Sequence, residues 1–135
     1  MTDRVETVEE LLSEARRELA RVSPREALAA MRDGAILVDI RSDSQRATDG
    51  VIPDAAFIPR NLLEWRLDPA SLHRDPELAR TDRRVILICD EGYQSSLAAA
   101  NVRRLGVDAT DVIGGFQAWR ESGLPVAAQD RTKRA

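Results

Sequence analysis

A chain of 135 residues fits one domain large enough to bury a core without covalent staples. Its 43% hydrophobic and 32% charged residues mark an ordinary globular protein, and a net charge of -3 argues against a partner held through nucleic-acid phosphates. No apolar run approaches the length of a membrane span. The opening MTDRVETVEE lacks the basic-then-apolar layout of a secretory signal, and one cysteine suits a reducing compartment, so a cytoplasmic location is expected. The single cysteine also excludes an internal disulfide, a CxxC redox pair and a thiolate-rich zinc site.

Two helix starts carry the same signature. Thr7 with Glu10 and Ser23 with Glu26 fit the capping box, and Pro24 occupies the first helical position of the second, where its missing N–H costs nothing. The first helix is predicted from Thr7 to about Arg21, with Val8, Leu11, Leu12, Ala15 and Leu19 on one stripe; the second runs from Pro24 to about Arg32. Strands are expected at 35–40 and 85–88, both apolar and β-branched as in strands covered on two faces. Shorter strands are expected at 56–58 and 111–113, and helices at 62–67, 95–105 and 116–122. Gly106 and Gly123 stand where helix C-caps belong. Strands alternating with helices imply an α/β fold in three layers, a central parallel sheet of four or five strands with helices on both faces. The expected organisation is an N-terminal helical extension over 1–22, one domain over 23–127, and a flexible tail over 128–135.

Arg16-Arg17, Arg83-Arg84 and Arg103-Arg104 have acidic residues near them in sequence and read as solvated helix ends and loops. Cys89 stands apart. Taken alone it would be a small buried hydrophobe. Yet it ends a predicted central strand, at the edge where α/β sheets bind ligands, and the turn opened by Gly92 leads into a helix near Ser95. Such a turn aims backbone N–H groups and a helix N-terminus at one spot and stabilises a thiolate or an anion on it. That placement favours a reactive thiol. A phosphatase loop needs C-x5-R, but Ser95 occupies the arginine position. A Cys-His pair would need His73, the only histidine, which lies in the polar segment 68–82 and reads as a surface residue.

Four segments then resemble the rhodanese family of sulfurtransferases. Asp39-Ile-Arg41 is similar to its D-x-R element, and Gly50-Val-Ile-Pro-Asp-Ala55 to G-H-I-P-G-A, with Val51 and Asp54 departing. Residues 89–95 are similar to the active loop C-x-x-G-x-x-S, and residues 114–125 to the closing G-G-x-x-x-W-x-x-x-G-x-P. The resemblance implies a single-domain rhodanese-like fold and sulfur carried as a persulfide on Cys89, the catalytic residue, with no metal and no organic cofactor. It places Asp90, Glu91, Gly92, Tyr93, Gln94 and Ser95 around the bound sulfur. It implies that Asp39 and Arg41 brace the region, with Arg41 also counted among the substrate-contacting candidates, that Gly114 and Gly115 allow a close approach to the loop, and that Trp119 is core. The expected partners are a small sulfane-sulfur donor and a protein or thiol acceptor, with no nucleic acid and no membrane. A non-catalytic binding module, or a persulfide sensor recruiting a partner through its first helix, is the alternative.

The loop departs from thiosulfate-using relatives in charge. Asp90 and Glu91 oppose an anionic donor unless they face water, and compensating charge is expected from Arg60, or secondarily from Arg66.

Overall fold

The computed structural model describes residues 5–129, so Met1 to Arg4 of the expected extension, and 130–135 of the expected tail, lie outside the described residues. Three helices open on full capping boxes: α1 (Val8–Arg16) on Thr7 and Glu10, α2 (Pro24–Arg32) on Ser23 and Glu26, and α3 (Asp43–Asp49) on Ser42 and Gln45. The first two were expected. The third has no apolar stripe, so only its cap could have announced it.

Helix α1 stops at Arg16, short of the Arg21 that the sequence suggested. The reason is that Leu19 packs against the core on one side of the sheet and Val22 belongs to the core on the other. Residues three apart on a helix share a face, so the chain must leave the helix to serve both cores. Past the helix it runs alongside a strand edge, with Val22 N–H donating to Asp111 O at 3.1 Å and Ile113 N–H to Val22 O at 2.8 Å.

Four strands form one parallel sheet: β1 (Ile36–Asp39), β2 (Ala56–Phe57), β3 (Val85–Ile88) and β4 (Ala109–Asp111), in the order β2-β1-β3-β4. The single parallel bridge of Val22 to Val112 extends that edge without making a fifth strand. Strand β4 lies two residues before the predicted 111–113, because Ile113 leaves the ladder for Val22 and is half exposed.

Alternation along β1 and β3 sorts the core into two. Val38, Ile40, Val85, Leu87 and Cys89 face α4 (Leu63–Leu67) and α5 (Gln94–Arg103), while Leu37, Ile86 and Ile88 face α2 and α6 (Gly115–Glu121). Both faces are covered, as the continuous apolar strands required. Trp119 is fully buried in the second core and donates Nε1–H to Pro125 O at 2.9 Å. Helix α1 has no buried residue and lies against α5. Near the C-terminus, Val51 and Ala127 exchange backbone hydrogen bonds at 2.7 and 2.8 Å. Among the described residues no helix is long and apolar enough to cross a membrane.

Candidate active site

Strand β3 delivers Cys89 to the carboxyl edge of the sheet, 6% exposed, between β1 and β4. The loop that follows is fastened to the start of α6: Phe116 N–H donates to Cys89 O at 2.8 Å, and Gln117 N–H to Asp90 O at 3.1 Å. This closeness depends on missing side chains. Gly92 has φ 88°, and a Cβ there would meet Gly114 N at 2.7 Å. The expected role of the Gly114-Gly115 pair, a close approach to the loop, is what the chain shows.

So fastened, the loop curls over the sulfur. Gly92 N–H donates to Cys89 Sγ at 3.2 Å and Ser95 N–H at 3.3 Å. The amides of Tyr93 and Gln94, on the same turn and at the start of α5, donate to no acceptor among the described residues. Amides converging on a sulfur, with the positive end of a helix dipole behind them, make a site for a thiolate or a sulfur anion.

Beneath the loop lies a buried polar layer. Asp111 is fully buried and accepts from Ser95 Oγ at 2.7 Å, Ser96 Oγ at 2.8 Å, and Arg21 Nε and Nη2 at 2.9 and 3.2 Å. A buried carboxylate needs this number of partners to offset its desolvation. Arg21 Nη2 also donates to Gly92 O at 3.0 Å, and Arg16 donates to the same oxygen at 2.8 Å and to Ser96 Oγ at 3.0 Å. Arg16 is therefore not a solvated helix end, which corrects the reading of the Arg16-Arg17 pair. No signal in the sequence could have found these two arginines, because their targets lie 76 and 71 residues away along the chain.

The remaining candidates divide. Arg60 reaches the loop, donating Nε–H to Gln94 Oε1 at 3.2 Å and Nη1–H to Glu64 Oε1 at 2.8 Å, so it serves both the rim and the surface pair. Burial pushes the Glu64 carboxyl up, but hydrogen bonds and charge from Arg60, with the Asn101 amide, outweigh it and hold the group below its ordinary range. Arg60 and Gln94 stand together at a cleft of about 590 Å³ between α1 and α5. Arg66 instead donates to His73 O. Tyr93 is 61% exposed beside Arg16, and Glu91 is exposed. The Asp90 carboxylate is held by Gln117 Nε2 at 3.0 Å, at the α6 side of the loop.

Arg41 must be corrected as a substrate-contacting candidate. Its side chain is fully buried, bound to Asp39 (Nη2 to Oδ2, 2.7 Å) and Gly50 O (2.9 Å), and stacked 3.7 Å over the Phe116 ring. With no exposed atom it braces the ends of β1 and α6, and a donor in solvent cannot reach it.

The chain matches known proteins over most of its length. The thiosulfate sulfurtransferase GlpE of Pseudomonas savastanoi pv. phaseolicola is 32% identical over 104 residues, 76% of this chain and 89% of that protein. GlpE of Ectopseudomonas mendocina is 34% identical over 113 residues, 83% and 94% of the two chains. Among solved structures, a Rhodopseudomonas palustris protein of unknown function described as a possible tyrosine phosphatase superposes with a TM-score of 0.83 at 29% identity, covering 94% of this chain and 99% of that one. A rhodanese-related protein of Thermoplasma volcanium, at 23% identity and a TM-score of 0.65 over 81% and 98% of the chains, shows the shared fold. The Rhodanese-like domain family matches residues 23–122, and the chain belongs to it.

Proposed function

We propose that this protein is a sulfurtransferase that carries sulfane sulfur as a persulfide on Cys89. The observation that supports it most is the pair of backbone N–H groups on Cys89 Sγ, at 3.2 and 3.3 Å, with the Tyr93 and Gln94 amides unengaged beside them. Thiosulfate is the small donor suggested by the names of the GlpE relatives. The Cys89 thiolate attacks the outer sulfur and forms a new S–S bond. The donor's own S–S bond breaks, and sulfite leaves with the electron pair. An acceptor thiolate or cyanide then attacks the outer sulfur of the persulfide, and Cys89 departs as thiolate. No oxidant, metal or organic cofactor enters this balance. On this reading the amides of Gly92 and Ser95 stabilise the inner sulfur, and the unengaged amides of Tyr93 and Gln94 are the donors left to receive the outer one.

The phosphatase description of the R. palustris neighbour does not transfer well, because Ser95 stands where that chemistry needs a forked arginine.

Mass spectrometry after brief exposure to thiosulfate tests the reading. A gain of one sulfur on Cys89, removed by cyanide, is expected, together with thiocyanate formation that Cys89→Ser abolishes. Unmodified Cys89 would support a binding module in place of a carrier, and thiocyanate made by the serine variant would overturn Cys89 as the residue that carries the sulfur.

A further inference from the structure

The two arginines on Gly92 O precede the stretch that matches the family, residues 23–122, and both come from the N-terminal extension. Gly92 is bonded on two sides. Its N–H points to Cys89 Sγ, and its carbonyl points to the guanidinium groups of Arg16 and Arg21. In a planar trans peptide the C=O and the next N–H are antiparallel, so a carbonyl drawn toward the arginines turns Tyr93 N–H the opposite way. Two cationic donors also polarise that peptide and make its N–H a stronger donor.

Resting on the sulfur-transfer reading above, we propose that Arg16 and Arg21 are positioning residues for that reaction: they fix the Gly92-Tyr93 peptide so that Tyr93 N–H faces the sulfur carried on Cys89. Arg21 is itself locked by Asp111, the carboxylate that also holds Ser95 and Ser96 at the start of α5. Arg16 is locked by Ser96 Oγ and has no carboxylate within ion-pair reach among the described residues. The layer of Arg16, Arg21 and Asp111 therefore leaves one positive charge beneath a loop that carries Asp90 and Glu91. The sequence led us to expect compensating charge only at the rim, from Arg60 or Arg66. The extension supplies it from behind.

Arg16 gives the cleaner test, because Arg21 also satisfies the buried Asp111 and its loss would disturb folding. Arg16→Gln removes the charge and the fork from a half-buried position on the last turn of α1. Steady-state transfer from thiosulfate to cyanide is expected to show kcat lowered about tenfold, with KM within about twofold, as befits one charge-assisted hydrogen bond acting on a bound intermediate. Arg16→Lys keeps one donor and the charge, so part or all of the lost kcat returns. The second readout is the Tyr93 amide resonance on loading Cys89 with sulfur. It moves in the wild type and moves less in Arg16→Gln, while the Ser95 amide moves in both. An unaltered kcat in Arg16→Gln, no recovery in Arg16→Lys, or a Tyr93 resonance that responds equally in all three proteins overturns the proposal. In each of those cases sulfur loading on Cys89 still reports separately on the reaction itself.

Discussion

The Cβ that Gly115 lacks would stand 2.6 Å from the carbonyl oxygen of Cys89. Gly115 has φ 61°, in the left-handed region, and the next amide, Phe116 N–H, donates to that same oxygen. The glycine lets α6 begin against the active loop. Gly115→Ala must both adopt a strained backbone, costing about 1 to 2 kcal/mol, and push Cys89 away. The Phe116 hydrogen bond then weakens, adding about 1 kcal/mol. Urea unfolding should show a loss of about 2 to 4 kcal/mol in total, and kcat/KM should fall more than about tenfold as the cradle shifts. Wild-type stability with wild-type activity would mean that the two backbones tolerate separation.

Asp111 gathers four hydrogen bonds in a fully buried setting, and its variants should rank by what they leave unpaired. Asp111→Ala abandons Arg21 as a charge without its partner, which costs about 3 to 5 kcal/mol. Asp111→Asn keeps one acceptor oxygen at the same place and should lose less. Chemical denaturation of both variants checks the order. Equal losses would show that the charge, which both variants lack, decides the effect and that the oxygen kept by asparagine contributes nothing.

The layered fold was legible because strands buried on both faces are written as short apolar runs, as at Val85 to Ile88, and because Thr7 and Ser23 announce helices locally. Helix α3 was passed over, since its capping box at Ser42 and Gln45 leads into DSQRATD, a segment with nothing to bury. The misplaced β4 has a similar cause. Asp111-Val-Ile113 is richer in β-branched residues than Ala109-Thr-Asp111, yet pairing geometry and the bond from Ile113 to Val22 decide where the ladder ends. Cys89 and its loop were legible from a local pattern. The grip of Arg16 and Arg21 on Gly92 was not, because it exists only once the extension has folded back over α5.

Glu64 gives the rim a pH dependence of known sign. Its folded-state carboxyl is held below the ordinary value of 4.5, with the hydrogen bonds and charge of Arg60 prevailing over burial. A depressed carboxyl contributes stability that is fully present above the unfolded value and is lost as pH falls through the folded one. The Arg60–Glu64 pair is therefore intact at neutral pH and comes apart only below about pH 4.5. Titration of the Glu64 side chain by NMR should give a midpoint below that of a model peptide, and Arg60→Gln should raise it. A midpoint unmoved by the substitution would separate the two residues.

Arg60 is also the cation on the rim beside Gln94, and its charge should be felt by an anionic donor. Replacing it with glutamine changes the local charge by one unit, since Glu64 stays behind with its carboxylate released. For thiosulfate, a dianion taken to lie about 8 Å away at an effective dielectric near 60, that change is worth roughly 1.4 kcal/mol before screening. At about 0.1 M salt the Debye length is about 10 Å, and less than half of the effect survives. Arg60→Gln should therefore raise KM for thiosulfate about tenfold at low ionic strength and about threefold at moderate salt. The value of kcat should hold, because the arginine touches the loop's end and not the sulfur. Stability should change little, since a partly exposed ion pair contributes at most about 1 kcal/mol. An uncharged sulfane donor, run in parallel, should lose far less than thiosulfate. Equal KM values for wild type and variant at low salt would mean that donors approach Cys89 from another side of the loop.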